Sequence, residues 1–283
     1  MKNFIITMCL TIICFYGSQA NAILIDPYDN APAPDGLNVG LFYQNYYHAD
    51  EFTDNDGDKA VDADLTANVS ILRYLRYEQL GNWLTAFQVI VPFGQIEEKK
   101  VFNEKSSGLG DVIFGPGLFL YSNDQINTHI SYWFYAFAPT GEWDKDKAIN
   151  LGLNHWYFEH QLAISTIYKK LIYDMNLNYY QHTEESDNNF QSPDRFEIET
   201  SLAYQVTDKL VVGLNAGGYV DMDDAEVDGV SIADSKAERW QVGPTLGYTI
   251  NDQFGINLRW TNDVISKNDS KGNDIWLRAS YCF

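Results

Sequence analysis

His129 and Ser131 lie two residues apart near the middle of the chain. On a β-strand, residues two apart share a face, so this pair could supply the base and the nucleophile of a hydrolase. Two polar side chains on the wetter face of a strand explain the same spacing without catalysis. Because nothing else around them resembles a catalytic site, we predict that the chain is not an enzyme and assign it no catalytic residue.

The chain contains 5 histidines, and none stands at a spacing typical of a metal site. The acidic segment 54–58 resembles the start of a calcium loop, which needs a glycine at its sixth position and a glutamate at its twelfth. Here Gly57 comes fourth, and no such glutamate follows. We expect a solvated acidic loop, with weak Ca²⁺ or Mg²⁺ association as the alternative, and we predict no metal site and no cofactor.

The glycine-rich segment 108–111 could open a phosphate-binding loop if a helix followed it. A strand-like run follows instead, from Val112 to Pro116. Glycines inside a strand are typical of bulges and sharp bends, so we exclude a nucleotide site here. The net charge of −20 also excludes nucleic acid as a partner, because no basic stripe is available to meet phosphates.

The elements that must position these residues are β-strands, because apolar and polar residues alternate along most of the chain. The clearest case is 61–71, which is long enough for a bilayer-spanning strand of about nine to eleven residues. We predict an all-β protein, a transmembrane antiparallel β-barrel of about twelve strands in an up-and-down meander. The predicted strands are 37–47, 61–71, 83–93, 108–121, 126–138, 149–166, 172–182, 195–206, 210–220, 238–249, 254–264 and 274–283.

The connections between these strands alternate between short and long, as in barrels of the outer membrane. Short turns are predicted at 80–82, 122–125, 169–170, 207–209 and 251–253. Longer polar loops are predicted at 50–60, 96–107, 139–148, 183–194, 221–236 and 265–273. A soluble sandwich has no reason to sort its connections by length in this way.

The N-terminus has the form of a secretory signal peptide, with a basic start at Lys2, an apolar run and a small-x-small cleavage site that ends at Ala22. The apolar run is too short for a transmembrane helix, which needs roughly twenty residues. We predict a signal peptide over 1–22, a periplasmic segment over 23–36 and a barrel over 37–283. The predicted location is the outer membrane of a Gram-negative cell, with membrane lipid, lipopolysaccharide and the barrel-assembly machinery as partners.

The C-terminus agrees with this location. Aromatic residues make up 15% of the chain, as expected of a barrel with aromatic girdles. Apolar residues alternate from Ile275 to a terminal Phe283, which resembles the C-terminal signal of outer-membrane proteins. Only a closed sheet satisfies every backbone group in lipid.

If the apolar face of each strand meets lipid, the polar residues of the opposite parity point into the barrel. Arg73 breaks the pattern because it falls on the apolar parity, near a short turn where a long side chain can reach the interface. The polar residues could line a channel or form a structural network that fills a narrow lumen, and both readings stay open. The candidates are Asp62, Asp64, Asn68, Asp174, Asn176, Arg195, Glu197, Glu199, Arg259 and Arg278.

Three segments, 108–116, 135–141 and 150–159, together with 242–244 and the aromatic C-terminus, carry a resemblance to a known family. The chain resembles the family described as the putative meta-pathway of phenol degradation, over essentially the whole mature sequence. His155 departs from the aromatic residue expected at its position. The residues that carry the match are Gly108, Gly110, Asp111, Pro139, Gly141, Asn150, Gly152, Asn154, Trp156 and Glu159.

The resemblance implies a passive outer-membrane channel or uptake protein for small hydrophobic or aromatic compounds. Two other functions remain as alternatives. The first is a structural or surface-interaction barrel without transport, in which the acidic loops do the work. The second is an outer-membrane enzyme similar to a phospholipase, built on Ser131.

Overall fold

The structure, a computed structural model, describes residues 25–283. The predicted signal peptide over 1–22 lies outside the described residues. Among residues 25–283, no helix is long and apolar enough to cross a membrane. The strands are β1 (Asn38–Thr53), β2 (Lys59–Leu80), β3 (Trp83–Glu98), β4 (Glu104–Leu109), β5 (Val112–Asn123), β6 (Thr128–Ala138), β7 (Tyr157–Tyr168), β8 (Leu171–His182), β9 (Phe190–Gln191), β10 (Arg195–Gln205), β11 (Leu210–Asp221), β12 (Glu226–Val227), β13 (Val230–Ser231), β14 (Glu238–Thr249), β15 (Phe254–Lys267) and β16 (Ser270–Cys282).

Twelve of these strands close into a barrel in the order β1-β2-β3-β5-β6-β7-β8-β10-β11-β14-β15-β16. The ring closes where β1 pairs antiparallel with β16, from Val39 opposite Cys282 to Phe52 opposite Ser270. The short strand β4 continues the pairing beside the end of β3. The predicted all-β, antiparallel, twelve-stranded barrel with an up-and-down meander is therefore confirmed.

The outer surface of the barrel is an apolar band. On β15, Leu258 and Trp260 are exposed and Arg259 between them is buried. On β16, Leu277 is exposed and the next residue, Arg278, is buried. This inversion of the usual arrangement is expected of a sheet whose outer face meets hydrocarbon and whose inner face is shared with water and polar side chains.

Several strands continue past the length that a bilayer requires. β2 has 22 residues, about twice the length of a spanning strand. The predicted long loops at 50–60, 96–107 and 265–273 are therefore wrong for most of their length, since the chain is paired there except at 54–58, 99–103 and 268–269. Several of their charged residues, such as Glu51, Glu97 and Lys271, lie on paired strands, and charge alone does not separate such a strand from a loop.

The sixth predicted strand began too early. It was predicted over 149–166, but β7 begins at Tyr157. The Asn150 side chain donates to the backbone carbonyl of Asp144 at 3.1 Å, and Asn154 has a φ of 57°. A side chain that replaces a ladder partner and a residue in the left-handed region both interrupt a strand.

Loops cover the end of the barrel opposite the short turns, which we call the long-loop end. The segments 183–194 and 221–236 meet there in a small sheet of β9, β12 and β13. Phe190 and Ala225 form its buried apolar centre. The long-loop end is thus an ordered cap and not a set of independent loops.

Candidate binding cavity in the barrel lumen

Seven of the ten side chains that the sequence nominated as lumen-facing are buried inside the barrel. They come from two neighbouring strands on one side, β8 and β10, and from two neighbouring strands on the other, β15 and β16. These residues are Asp174, Asn176, Arg195, Glu197, Glu199, Arg259 and Arg278.

The other three nominated residues, Asp62, Asp64 and Asn68, point outward, so their assignment to the lumen is wrong. The side chain of Asp62 is 68% exposed and pairs with Lys59, whereas its neighbour Ala63 is only 1% exposed. The apolar face of β2 packs inside the barrel, and its polar face lies outside, beyond the apolar band. The facing of a strand therefore depends on what the lumen contains at that point, and not on polarity alone.

Arg73 belongs to the same inward face of β2. Its Nε donates to Oε1 of Gln88 at 2.7 Å, and both residues lie inside the barrel. The side chain does not reach toward the membrane interface, as the sequence suggested. Arg73 alternates with Ile71 and Leu75, and a charged residue among these apolar ones was the sequence signal that their whole face points inward.

The strand register places the inward residues of β7, β8 and β10 in rows around the lumen. Tyr180 stands opposite both Glu159 and Arg195, and Arg195 stands opposite Asp221 on the next strand. One step along the barrel, Asn178 stands between Gln161 and Glu197. Directly opposed inward residues interact across strands, so this side of the lumen is a continuous polar wall. We define the polar wall as Glu159, Gln161, Asn176, Asn178, Glu197 and Glu199.

The polar wall continues into a series of arginine–aspartate pairs. Arg195 Nε lies 2.8 Å from Asp221 Oδ1, and Arg239 Nε lies 2.7 Å from Asp263 Oδ1. The guanidinium of Arg195 also lies 3.6 Å from the centre of the Tyr219 ring. These charges are compensated locally, as buried charges must be if they are to stay ionised.

The side of the lumen that adjoins the polar wall, from β2 to β6, is aromatic and apolar. Trp133 and Tyr135 of β6 stack with ring centres 6.3 Å apart, and Phe119 of β5 meets Trp133 edge-on at 6.2 Å. Phe137 stacks on Tyr157 at 3.9 Å. We define the aromatic wall by these side chains and the aliphatic residues beside them, which are Phe119, Trp133, Tyr135, Phe137, Tyr157, Ile71, Leu75 and Ile90.

The aromatic wall cannot be predicted from the sequence because both faces of β6 are aromatic. Tyr132 and Phe134 face outward, and Trp133 and Tyr135 face inward. Period-two alternation cannot be read from a strand in which every residue is large and apolar. The available signal was Ser131 and His129, which share the parity of Trp133 and mark the inward face.

The segment before β1 enters the lumen from the end with the short turns. Gly36 N–H donates to the carbonyl of Tyr77 at that end. Further in, Asp26 Oδ1 lies 3.1 Å from Arg259 Nη1, and Asp29 pairs with Arg278. The segment over 23–36, predicted to be periplasmic, thus includes residues that lie inside the barrel, in contact with the inner face of its wall.

Polar contacts of this segment reach the wall on the other side. Tyr28 N–H donates to Asp174 Oδ2 at 2.8 Å, and Asn30 Nδ2 donates to Asn176 Oδ1 at 2.8 Å. The segment therefore crosses the lumen and is held at both sides. It forms the floor of the space between the polar and aromatic walls.

A cavity of about 130 Å³ lies between the two walls, above this floor. Ile25, Asp29 and Asn30 contribute to its lining together with residues of both walls. An engineered apolar cavity of about 150 Å³ holds one benzene molecule, so a single aromatic ring fits a space of this size. One half of the lining can bind an apolar body and the other half a polar group.

The residues of the family resemblance form a hub beside this cavity, with Asp111 at its centre. Asp111 Oδ1 accepts hydrogen bonds from the N–H groups of Thr140 at 3.0 Å and Gly141 at 2.9 Å. Its Oδ2 accepts from Leu153 N–H at 2.8 Å. One carboxylate thus fixes two parts of the loop that follows β6. Burial raises the pKa of Asp111, and the three N–H donors oppose that shift.

The glycines of the hub allow two backbones to meet. A Cβ on Gly141 would lie 2.7 Å from the Cα of Gly152, and Gly110 N–H donates to the carbonyl of Pro92 at 2.9 Å. The other motif residues lie around this contact. Gly108 and Pro139 flank it, Asn150 and Asn154 bind loop groups, Trp156 is exposed, and Glu159 faces the cavity.

His155 forms a contact that the sequence did not predict. Its Nε2 lies 3.1 Å from Nδ1 of His182, and its Nδ1 lies 2.9 Å from the carbonyl oxygen of Leu153. Burial lowers the pKa of His155 to about 4. The ring therefore lies neutral at neutral pH, where it joins the loop after β6 to the end of β8.

The remaining candidates for chemistry have ordinary structural contacts. Ser131 Oγ accepts a hydrogen bond from Trp133 Nε1 at 2.9 Å. Asp54 Oδ1 accepts from the N–H groups of Asp56 at 3.0 Å and Asp58 at 2.9 Å, which forms a tight turn. Within residues 25–283, no three His, Cys, Asp or Glu side chains are grouped so that they could hold a metal ion.

A family model described as "Putative MetA-pathway of phenol degradation" matches residues 49–279. An outer membrane channel from Pseudomonas putida F1 is similar in structure, with a TM-score of 0.85 at 24% identity, over 92% of this chain and 100% of that chain. The NanC porin is similar with a TM-score of 0.50 at 10% identity, over 87% of this chain and 98% of that chain. No curated protein matches the sequence. The two solved structures share the barrel fold with this chain.

Proposed function

The chain belongs to the family described as "Putative MetA-pathway of phenol degradation", and on that basis we propose that it is a passive uptake channel for small hydrophobic or aromatic compounds. It is a barrel of the outer membrane, with an apolar band around its surface. The proposed solute site is the cavity between the aromatic and polar walls. A channel of this kind needs no cofactor, and its partners are the solute, membrane lipid, lipopolysaccharide and the barrel-assembly machinery.

The observation that carries this proposal is the aromatic wall. Ion-selective pores replace the hydration shell of the ion with carbonyl groups or rings of charged side chains. Here Trp133, Tyr135 and Phe137 lie side by side in the lumen, buried from lipid and from bulk water. Apolar side chains that face an internal cavity favour an apolar solute, by the same transfer free energy that drives core packing.

The proposal separates this chain from the two alternatives. A structural barrel is expected to fill its lumen completely, whereas this lumen keeps a cavity large enough for one ring. A hydrolase on Ser131 needs a free nucleophile next to a base, whereas the Ser131 hydroxyl accepts a hydrogen bond from Trp133.

The test is the initial rate at which Gram-negative cells take up radiolabelled toluene, with and without the chain in their outer membrane. We expect the chain to raise the rate. The variant Ile90→Trp should abolish the increase, because Ile90 lines the cavity and the added ring would fill it. Val89→Trp is the matched control, because Val89 alternates with Ile90 and faces outward. An unchanged rate in the wild type, or equal rates in the two variants, would overturn the proposal.

A further inference from the structure

Three glutamates of the polar wall face the cavity. Glu197 and Glu199 lie two residues apart on β10, and Glu159 lies on β7, and all three are buried. Glu197 interacts electrostatically with both of the others. Like charges held together without water around them are unfavourable, so these carboxyl groups retain protons unless another group compensates their charge.

Three arginines of the lumen pair with aspartates, whereas Arg73, which also lines the cavity, donates to Gln88. Arg195 pairs with Asp221, and Arg259 and Arg278 pair with Asp26. In residues 25–283, no lysine or arginine nitrogen lies within ion-pairing distance of the carboxylates of Glu159, Glu197 or Glu199. Electrostatic attraction acts on these carboxylates at longer range, from Arg195 on Glu197, from Arg73 on Glu159 and from Arg259 on Glu199.

Two acceptor atoms of the same wall are buried without a hydrogen bond in the described chain. Glu199 accepts at Oε2 from Asn176 Nδ2 at 2.8 Å, but its Oε1 has no partner. The Oδ1 atom of Asn178 has none either. Both residues line the cavity. Buried acceptors are almost always satisfied, so these atoms indicate where a donor group belongs.

The aromatic wall supplies the other half of a site for an organic cation. Trp133 and Tyr135 present their rings to the cavity from β6, the strand that adjoins the polar wall at β7. Aromatic faces attract both the apolar body and the positive charge of an ammonium group. A ligand that lies between the two walls would place its ring on one and its charge on the other.

We propose that the cavity recognises an aromatic compound that carries a protonated amine, and that Glu199, Glu197 and Glu159 select it over neutral and anionic compounds of the same size. This inference rests on the proposed function, because it names the class of solute that the same cavity prefers. It requires donors on the ligand and compensation of negative charge, and a primary ammonium group supplies both. A carboxylate would add a further negative charge beside three acidic side chains that already repel one another, so it is disfavoured.

The test compares three ligands that share one ring, namely benzylamine, benzyl alcohol and benzoate. Binding to the purified full-length protein in detergent is measured by calorimetry at neutral pH. We expect benzylamine to bind about tenfold more tightly than benzyl alcohol, because hydrogen bonds that involve a charged group are stronger than those between neutral groups. Benzoate should not bind measurably.

Variants locate the source of this preference. Glu199→Gln keeps the size of the side chain and removes its charge, so it should reduce the affinity for benzylamine about tenfold and leave that for benzyl alcohol unchanged. Glu197→Gln is a second variant of the same wall. Glu78→Gln is the matched control, because Glu78 is exposed and pairs with Arg76 outside the lumen. Heat-modifiable migration on a gel shows whether each variant is folded.

The outcomes separate the inference from the proposed function. Equal affinities for benzylamine and benzyl alcohol, or an equal loss of both in Glu199→Gln, would overturn the amine preference and leave an aromatic channel intact. Tighter binding of benzoate would overturn it as well. If none of the three ligands binds the folded wild type and toluene uptake is also unchanged, both the inference and the proposed function fail.

Discussion

Asp26 Oδ2 lies 3.2 Å from Nε of Arg278, which joins the segment before the first strand to the last strand of the barrel. Because Asp29 pairs with the same arginine, one side chain of β16 holds two positions of the segment. The floor of the cavity therefore depends on a few buried charges and not on extensive apolar packing.

Replacing Arg278 should loosen this floor. Removal of one partner from a buried ion pair costs about 3–5 kcal/mol, so the segment in Arg278→Met should leave the lumen for part of the time. We expect proteoliposomes that contain this variant to swell severalfold faster in arabinose than those with the wild type. Arg76→Met is the control, because Arg76 is exposed. Identical swelling of both variants would contradict this role for Arg278.

The hub around Asp111 gives a second prediction. Asp111→Asn keeps the shape of the side chain but replaces one acceptor oxygen of the carboxylate by an amide nitrogen. An orphaned buried N–H costs about 1–3 kcal/mol, so the loop 139–156 should be cleaved faster by protease. Asp146→Asn, at an exposed position of the same loop, should have no effect. A proteolysis rate in Asp111→Asn equal to that of Asp146→Asn would show that the carboxylate does not hold the loop.

The contact between Gly141 and Gly152 gives a third prediction. A methyl group on Gly141 would lie 2.7 Å from the Cα of Gly152 and 2.8 Å from the carbonyl carbon of Gly110. Backbone cannot move as a flexible side chain can, so Gly141→Ala should lower the unfolding temperature. Gly40→Ala should not, because a Cβ there meets nothing within 4 Å. Thermal unfolding followed by circular dichroism distinguishes the two variants, and equal temperatures would argue against close packing in the hub.

The pKa of His155 predicts a pH dependence of the same loop. The folded-state pKa is about 4, below the value of about 6.5 in an unfolded chain. A lowered pKa means that the folded state favours the neutral ring. The contribution of His155 to stability is therefore complete above about pH 6.5 and is lost as the pH falls toward 4.

Limited proteolysis at pH 7.5 and at pH 4.5 checks this expectation. In the wild type, the loop 139–156 should be cleaved faster at the lower pH. His155→Phe removes the titrating group and should reduce the difference between the two conditions, while Asp111 and other acids continue to titrate. If His155→Phe shows the full difference, the effect comes from another group.

The two faces of β10 could be predicted from the sequence because they differ completely. Glu197 and Glu199 alternate with Phe196 and Ile198, and only one arrangement puts the apolar side chains in lipid. The even number of strands and the short turns followed from the same alternation. The facing of a strand can therefore be predicted from sequence alone when one of its faces meets lipid and the other meets polar groups.

The facing of β2 could not be predicted, because the lumen beside it is apolar. Ile71 and Leu75 pack inside the barrel with the aromatic wall, and Asp62 lies outside where the strand has left the bilayer. On this strand an apolar side chain therefore faces the lumen and a polar side chain faces outward, the reverse of the arrangement on β10. The cavity itself could not be predicted because its lining combines strands that are far apart in the chain, such as β2 with Ile71 and β10 with Glu199. The segment that forms its floor has no periodic pattern.

The most direct test of the account is the position of a bound aromatic solute. Crystals of the protein soaked with 4-bromophenol give an anomalous signal from bromine that locates the ring without assumptions. We predict one peak inside the barrel, between Trp133 and Glu199. A peak on the outer apolar surface alone, or an empty lumen at saturating ligand, would contradict the proposal that this cavity is the solute site.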